Sequence, residues 1–159
     1  MKKLKLYLDT SIWNFYYAND AYEKMDITRC FFNEIETGKY EIYISELVIA
    51  EINGANLEKQ NLLERLIVKY NPCELKSNFE VEELAEKYIA ANFVPAKYEA
   101  DAIHIAFAVS YNLDVVVSWN FRHIVRLKTR LAVNGINKIE GYKEIEICSP
   151  EEVTEYYER

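Results

Sequence analysis

The chain has 159 residues, of which 50% are hydrophobic and only 4 are Gly and 3 are Pro. This composition excludes a disordered protein and predicts a single domain over residues 1–159, large enough for one sizeable core. The net charge of −7 excludes an indiscriminate nucleic-acid binder, because such proteins neutralise phosphates with many Lys and Arg side chains.

The cysteines and the N-terminal sequence bear on where the protein works. Cys30, Cys73 and Cys148 form no CxxC pair, so neither a zinc site nor a disulfide framework is indicated. The apolar run after Met1 is too short for a signal peptide, and no run reaches the length that spans a membrane. We therefore expect a cytoplasmic protein with no membrane association.

Hydrophobic periodicity predicts strands and helices that alternate along the chain. In chain order, the predicted elements are a strand at 4–9, a helix at 21–37, a strand at 41–45, helices at 46–53 and 57–70, a strand at 73–75, helices at 79–92 and 99–111, a strand at 115–118, a helix at 122–134, a strand within 142–149 and a helix at 150–158. This alternation predicts an α/β fold with a mostly parallel sheet covered on both faces. In such sheets, ligands bind at the carboxyl ends of the strands.

Capping and turn residues mark several of these boundaries. Ser45 and Ser149 are suitable N-caps for the helices that follow them, and Pro150 suits a first helical position. Gly38 is expected to end the helix before it, and Gly135 is expected to do the same for a later helix.

Asp9 stands at the carboxyl end of the first predicted strand. A charge at this position is costly unless something compensates it, because Asp is disfavoured in strands and in cores. Asp9 therefore either binds a ligand at the functional edge of the sheet or caps the turn that starts at Ser11.

Two further acids are out of place on apolar helices. Glu51 falls on the stripe formed by Leu47, Val48 and Ile52, where it needs a partner. The alternative to a ligand role for Glu51 is a salt bridge to a distant Lys. Asp101 opens an apolar helix whose dipole favours an ionised carboxylate, and simple first-turn stabilisation is its alternative.

Three misplaced acids, each near a strand end or a helix start, suggest one shared cation. A hard ion such as Mg²⁺ or Mn²⁺ suits carboxylate ligands, whereas Zn²⁺ prefers nitrogen and sulfur donors, which are scarce here. A divalent ion also relieves the repulsion among clustered acids. The sequence therefore predicts a metal site formed by Asp9, Glu51 and Asp101.

A basic segment and two aromatic residues are candidates for contacts with nucleic acid. From Arg122 to Lys138 the chain has five basic residues and His123 but no Asp or Glu. Because acids dominate elsewhere, a phosphate-bearing partner is expected to bind this segment; the alternative is a solvated helix face. Among the aromatic residues, Trp13 and Trp119, each next to a candidate site residue, are the two to test for stacking on unpaired bases; the alternative is a core or dimer contact.

Four motifs make the chain resemble the PIN domain family and, within it, the VapC-like toxins of bacterial and archaeal toxin-antitoxin pairs. They are LDTS at the start, ISELVIAEI after the second strand, EADAIHIAFA in a later helix and VVVSWNFRHI around the fourth strand. Each motif is common by itself, but the ordered set is specific. The resemblance implies a three-layer α/β/α domain with a central, mostly parallel sheet of about five strands.

The function that the resemblance implies is that of a Mg²⁺- or Mn²⁺-dependent endoribonuclease, a hydrolase that serves as the toxin of a toxin-antitoxin pair. Asp9, Glu51 and Asp101 match the first three acidic positions of the family. The implied partners are an RNA substrate, a small antitoxin protein and a second copy of the chain in a homodimer.

Asn120 departs from the family pattern, in which a fourth acid commonly follows the fourth strand. It is expected either to hold a metal-bound water or to cap the helix after it. Ser11 is expected either to bind the substrate phosphate or a metal-bound water, or to act as a cap. Arg122 and His123 are expected to bind RNA, and His104 is interpreted as a packed residue or a partner of a metal ligand.

Two alternative functions stay open at the level of sequence. The first is another α/β enzyme with a strand-end Asp, such as a phospho-aspartate protein. A dehalogenase-like site would carry a second Asp where Ser11 stands, and the paired acids and late Lys of a receiver domain are missing. The second is a PIN-fold RNA-binding or interaction module that has lost catalysis, with Asn120 in place of the fourth acid.

Overall fold

The computed structural model describes residues 2–155. Its strands are β1 (Leu4–Leu8), β2 (Tyr40–Ser45), β3 (Cys73–Leu75), β4 (Val115–Val117) and β5 (Glu146–Cys148). Its helices are α1 (Thr10–Phe15), α2 (Tyr22–Glu36), α3 (Glu46–Asn53), α4 (Leu57–Tyr70), α5 (Phe79–Ala90), α6 (Glu99–Ser110), α7 (Leu127–Glu140) and α8 (Pro150–Val153), with a 3₁₀ turn at Ala96–Tyr98. The end of the predicted C-terminal helix, residues 156–158, lies outside the described residues.

The five strands form one sheet in the order β3-β2-β1-β4-β5, and every pairing is parallel. β1 is central, because its Leu6 pairs with Ile42 of β2 and with Val115 of β4. Leu6, Tyr7 and Leu8 are fully buried, as expected for a strand covered on both faces. The predicted three-layer α/β/α fold with five strands is confirmed.

The carboxyl ends of β2, β1 and β4 are neighbours at one edge of the sheet. Ser45, Asp9 and Ser118 occupy or directly follow these three ends. Asp114 precedes β4 and lies at the opposite edge, where its carboxylate accepts a hydrogen bond from Lys5 N at 2.8 Å. The sheet therefore brings Asp9, and not Asp114, to the edge where ligands are expected.

The predicted capping residues are confirmed. The Ser45 hydroxyl accepts from Leu47 N at 3.2 Å at the start of α3. At the start of α8, Ser149 and Glu152 form a capping box with Pro150 in the first turn. Local side-chain chemistry thus fixes the beginning of both helices, as expected from their sequences.

The helix predicted at 122–134 is wrong in position, because α7 begins later and continues through Gly135. Before α7 the chain forms a turn in which the Asn120 side chain accepts from His123 N at 2.9 Å. A Cβ at Gly135 would meet open space, so this glycine lies on an open helix surface. The helix ends at Gly141, whose φ of +83° is the left-handed conformation that favours glycine.

Two further features follow from the composition. Cys30, Cys73 and Cys148 are free thiols. Within residues 2–155, none of the helices combines the length and the apolar character needed to cross a membrane.

Candidate active site

Asp9 lies directly after β1 and is buried, with 4% of its surface exposed. Its Oδ1 accepts a hydrogen bond from Ser11 Oγ and its Oδ2 accepts one from Ser118 Oγ, each at 2.6 Å. The Asp9 side chain makes no capping hydrogen bond to α1, so the capping alternative does not hold. Instead, its carboxylate joins the end of β1 to the loop after β4.

The hydroxyls of Ser11 and Ser118 each make a further hydrogen bond besides the one to Asp9. Ser11 Oγ also accepts from Trp119 N, and Ser118 Oγ accepts from Asn120 N, both at 2.9 Å. A hydroxyl has one proton to donate, and each serine donates it to Asp9. Ser11 therefore supports Asp9, and its role in binding substrate stays a prediction.

The Asp9 carboxylate lacks a full compensating charge. Burial raises the pKa of Asp9 above its usual range, while the charge of His104 and the serine donors lower it and the charge of Glu51 raises it further. Within residues 2–155, no Lys or Arg lies within ion-pair distance of Asp9, Glu51 or Asp101. A hard cation with oxygen ligands would supply this charge, so the donor chemistry fits Mg²⁺ or Mn²⁺.

Glu51 is more exposed than the sequence predicted. Its side chain is 36% exposed, whereas Val48 and Ile52 on the same helix are buried. The placement of Glu51 on a buried stripe was wrong because the core face of α3 is narrow, and Leu47 is also only partly buried. Burial raises the pKa of Glu51, but the hydrogen bond and charge of His104 together with the hydrogen bond from the Thr10 hydroxyl outweigh it, and the net pKa is lowered.

A chain of hydrogen bonds connects β2 to Glu51 through the site. Tyr7 OH lies 2.8 Å from Ser45 Oγ and 2.6 Å from His104 Nδ1, and His104 Nε2 lies 2.7 Å from Glu51 Oε1. An ionised Glu51 can only accept, so His104 Nε2 donates to it. In the charged form of His104 both ring nitrogens donate, and in the neutral form Nδ1 accepts from Tyr7. In that neutral form Ser45 donates to Tyr7. His104 is thus the buried hydrogen-bond partner of Glu51, a candidate metal ligand. The alternative partner considered for Glu51, a distant Lys, is not the one that the structure shows.

Asp101 lies in the first turn of α6, and its side chain is 17% exposed. Its Oδ2 accepts from His123 Nδ1 at 2.9 Å. The backbone N of His123 in turn donates to Asn120 Oδ1, so Asn120 closes the turn after β4, whereas the helix it was expected to cap begins later, with Arg126 as its N-cap. Arg122, adjacent to His123, is exposed.

Each of the three candidate ligands has its own hydrogen-bond partners. Asp9 and Glu51 are near enough for their charges to interact, and Asp101 lies one helical turn from His104, the partner of Glu51. Among the described residues, no group of three or more His, Cys, Asp or Glu side chains is arranged to hold a metal ion. The shared metal site of Asp9, Glu51 and Asp101 stays a prediction.

Trp13 and Trp119, the two candidates for base stacking, follow the alternative and pack in the core. Trp13 is fully buried and packs against Phe32 with ring centroids 5.2 Å apart. Trp119 is 6% exposed, and its indole N–H donates to Thr28 Oγ1 at 2.8 Å. Both rings are therefore used in the core and present no open face.

Three members of this network were not identified from the sequence: Tyr7, Thr10 and Ser118. Ser118 ends the predicted strand VVVS, and a hydroxyl at the carboxyl end of a central strand is a signal that could have identified it. Tyr7 carries the only hydroxyl in the apolar run Leu4–Leu8. A buried tyrosine hydroxyl requires a partner, but the sequence does not indicate which residue supplies it.

The sequence profile of the PIN domain family matches residues 6–126. This range contains Asp9, Glu51, Asp101 and Asn120, together with the end of β1 and all of β2, β3 and β4. The chain therefore belongs to the PIN domain family. Among curated proteins, the sequence has no significant match.

Two solved structures illustrate the same fold. One is VapBC2 from Rickettsia felis bound to a DNA fragment from its promoter, with a TM-score of 0.56 and 12% sequence identity. The other is DNA-bound VapBC from Salmonella typhimurium, with a TM-score of 0.55 and 21% identity. Each alignment covers 92% of this chain and 98% of the other. At these identities the likeness establishes the fold.

Proposed function

We propose that the protein is a Mg²⁺- or Mn²⁺-dependent endoribonuclease that hydrolyses RNA phosphodiesters. The observation that carries this proposal is the Asp9 carboxylate, which is buried at the ligand-binding edge of the sheet and bound by two serine hydroxyls. Among the described residues it has no Lys or Arg partner. Membership of the PIN domain family, whose members are generally nucleases that use divalent metal ions, supports the same activity.

In this proposal Asp9, Glu51 and Asp101 hold the metal ion. When bound, such an ion supplies charge that offsets the negative charge on the attacked phosphodiester, and it lowers the pKa of a water molecule. The protein's own contribution is to orient the carboxylates. The donors are Ser11 and Ser118 for Asp9, His104 and Thr10 for Glu51, and His123 for Asp101.

Asn120 occupies the position at which the family commonly has a fourth acid. We expect three carboxylates to bind one metal ion, with a second ion bound only when a substrate phosphate is present. A catalytically impaired RNA-binding or interaction module is the second candidate function. The hydrogen bond from His123 N to Asn120 Oδ1 favours this second function, because it uses the side-chain oxygen for a structural contact with the backbone.

RNA cleavage with added Mg²⁺ or Mn²⁺, followed by mapping of the cut ends, tests the proposal. We expect the wild-type protein to cleave RNA and Asp9→Asn, Glu51→Gln and Asp101→Asn to lose the activity. Asp114→Asn is the matched control, because Asp114 lies at the opposite edge of the sheet. If the wild type binds RNA without cleaving it in either metal, the binding module is the correct function.

We further propose that the protein acts in the cytoplasm as the toxin of a toxin-antitoxin pair, with a small antitoxin that blocks the site. The likeness to the two VapBC structures supports such a partner. An adjacent gene that encodes a short DNA-binding segment and a tail would provide the candidate. Co-expression should abolish RNA cleavage by the purified complex, and light scattering of the protein alone should give the mass of a homodimer.

A further inference from the structure

A cavity of about 500 Å³ opens beside the candidate active site, between residues 92–98 and residues 122–128. We call it the basic cavity, because its lining includes Arg122, Arg126 and Lys128 but no Asp or Glu. This composition is unusual for a chain with 26 acidic and 19 basic residues. The volume lies in the range of sites that hold small ligands.

Two cations of the basic cavity have no counter-ion. Arg122 and Lys128 are exposed, and neither has an Asp or Glu within ion-pair distance in the described part of the chain. Arg126 has another role, because its guanidinium donates to Phe93 O and so joins the two walls. Two unpaired cations on a cavity without acids favour an anionic ligand.

His123 connects the basic cavity to the candidate active site. It lines the cavity and donates to Asp101 Oδ2 at 2.9 Å, so a ligand in the cavity lies one side chain away from a candidate metal ligand. Its ring centroid is 4.4 Å from that of Tyr98, which also lines the cavity. Tyr98 is half-buried, and Lys97 Nζ lies 5.6 Å from the centroid of its ring. The exposed part of the ring is an aromatic surface of the kind that contacts bases of single strands.

The structure divides the basic segment 122–138 into two parts. Its first part lines the basic cavity. Arg130 and Lys138 instead line a different cavity, which also contains Glu144. A phosphate-bearing ligand in the basic cavity would contact the first part and not the second. Lys138 therefore provides a control for Arg122 within the same segment.

We propose that the basic cavity binds the backbone of single-stranded RNA next to the bond that is cleaved, with Arg122 and Lys128 at the phosphates and Tyr98 at a base. This inference rests on the proposed ribonuclease function and adds the surface along which the substrate lies. A chain with a net charge of −7 repels RNA overall, so a local group of unpaired cations is the physical means by which it can bind phosphates.

The test is binding of a short, fluorescently labelled single-stranded RNA to the full-length protein in EDTA, which prevents metal-dependent cleavage. We expect Arg122→Glu and Lys128→Glu each to weaken binding about three- to tenfold and to reduce its salt dependence. Lys138→Glu makes the same change in charge and should alter binding less than about twofold. Tyr98→Leu should weaken binding without changing its salt dependence.

Several results would overturn the inference. These are a loss of binding in Lys138→Glu as large as that in Arg122→Glu, wild-type binding by both cavity variants, and tighter binding of a duplex than of a single strand. Thermal unfolding verifies that each variant is folded, which we expect because Arg122 and Lys128 are exposed and unpaired. Cleavage is scored separately: if the wild type cleaves no RNA but binding still depends on Arg122 and Lys128, only the ribonuclease function fails.

Discussion

His104 Nε2 lies 2.7 Å from Glu51 Oε1, in a contact between α6 and α3 across the candidate active site. The other ring nitrogen of His104 lies 2.6 Å from the hydroxyl of Tyr7 on β1, and the residue is 2% exposed. A histidine held at both nitrogens fixes the direction in which its carboxylate partner points. His104 is therefore a positioning residue for Glu51.

Two substitutions of His104 separate its two contacts. The amide nitrogen of Gln can reach the place of Nε2, whereas the shorter Asn can replace only Nδ1. We expect His104→Asn to lower the affinity for Mn²⁺ about tenfold, because Glu51 loses its histidine donor and keeps only the Thr10 hydroxyl, and His104→Gln to keep most of the affinity. Calorimetric titration of the metal-free protein with Mn²⁺ measures this difference.

The free energy of unfolding is the control for the His104 variants. Each loses one buried hydrogen bond, so both should be destabilised by about 1 kcal/mol. Equal Mn²⁺ affinities of His104→Asn and His104→Gln would contradict the positioning role and leave His104 with packing alone.

Tyr7→Phe tests the other end of the same network. The substitution removes the hydroxyl that contacts both Ser45 and His104 and leaves buried polar atoms without a partner. We expect the free energy of unfolding in urea to fall by about 1–3 kcal/mol. Tyr22→Phe, at a side chain that is 69% exposed, should change it by less than about 0.5 kcal/mol. Equal effects of the two substitutions would show that the Tyr7 hydroxyl does not contribute.

The order of the elements could be predicted because their signals are local. A run such as VVVS has the pattern of a buried strand, and the Ser45 and Ser149 caps depend on bonds within three residues along the chain. The start of α7 could not be predicted in this way. It depends on a turn closed by Asn120 and on Thr129, whose hydroxyl donates to His123 O, and these contacts compete with helix formation.

The sequence identified the acids of the candidate site more readily than the residues that contact them. Asp9 was identifiable because a charge at the end of an apolar strand requires compensation. The exposure of Glu51 depends on how α3 packs, and the burial of Trp13 depends on contacts with α2, which no local pattern specifies. The contact between Ser118 and Asp9 joins residues 109 positions apart.

Asn120→Asp restores an acid at the position after β4. The turn should persist, because a carboxylate oxygen can accept from His123 N as Asn120 Oδ1 does. We expect tighter binding of Mn²⁺ and faster RNA cleavage. In the metal-free protein the added charge should lower the free energy of unfolding through repulsion. Calorimetry and cleavage rates measure these effects.

Asn120→Ala is the matched control for this substitution. It removes the hydrogen bond that closes the turn and adds no ligand, so we expect a loss of about 1 kcal/mol in the free energy of unfolding with no gain in metal affinity. If Asn120→Asp leaves both Mn²⁺ affinity and cleavage unchanged, the position is structural and the fourth acid has no counterpart here.

The buried charge of Asp9 should make stability depend on pH in a specific direction. Because the pKa of Asp9 in the folded protein is raised above its ordinary value of 3.8, the folded state holds its proton to higher pH than the unfolded state does. In EDTA, this group therefore lowers the free energy of unfolding as the pH rises from about 4 through the raised pKa. Asp9→Asn lacks this loss, so the variant should gain stability relative to the wild type over the same range.

Asp114 should change the free energy of unfolding with pH in the opposite direction to Asp9. Although burial raises its pKa, the hydrogen bonds from Lys5 N and Lys143 lower it to below the ordinary value, so its stabilisation is present above about pH 4 and is lost as the pH falls. Asp114→Asn should therefore be less stable than the wild type at pH 7 and equal to it in strong acid. Urea unfolding from pH 3 to pH 8 measures both variants. An Asp9→Asn protein that is less stable than the wild type at pH 7 in EDTA would show that the Asp9 carboxylate is compensated without a cation, which removes the main support for the metal site.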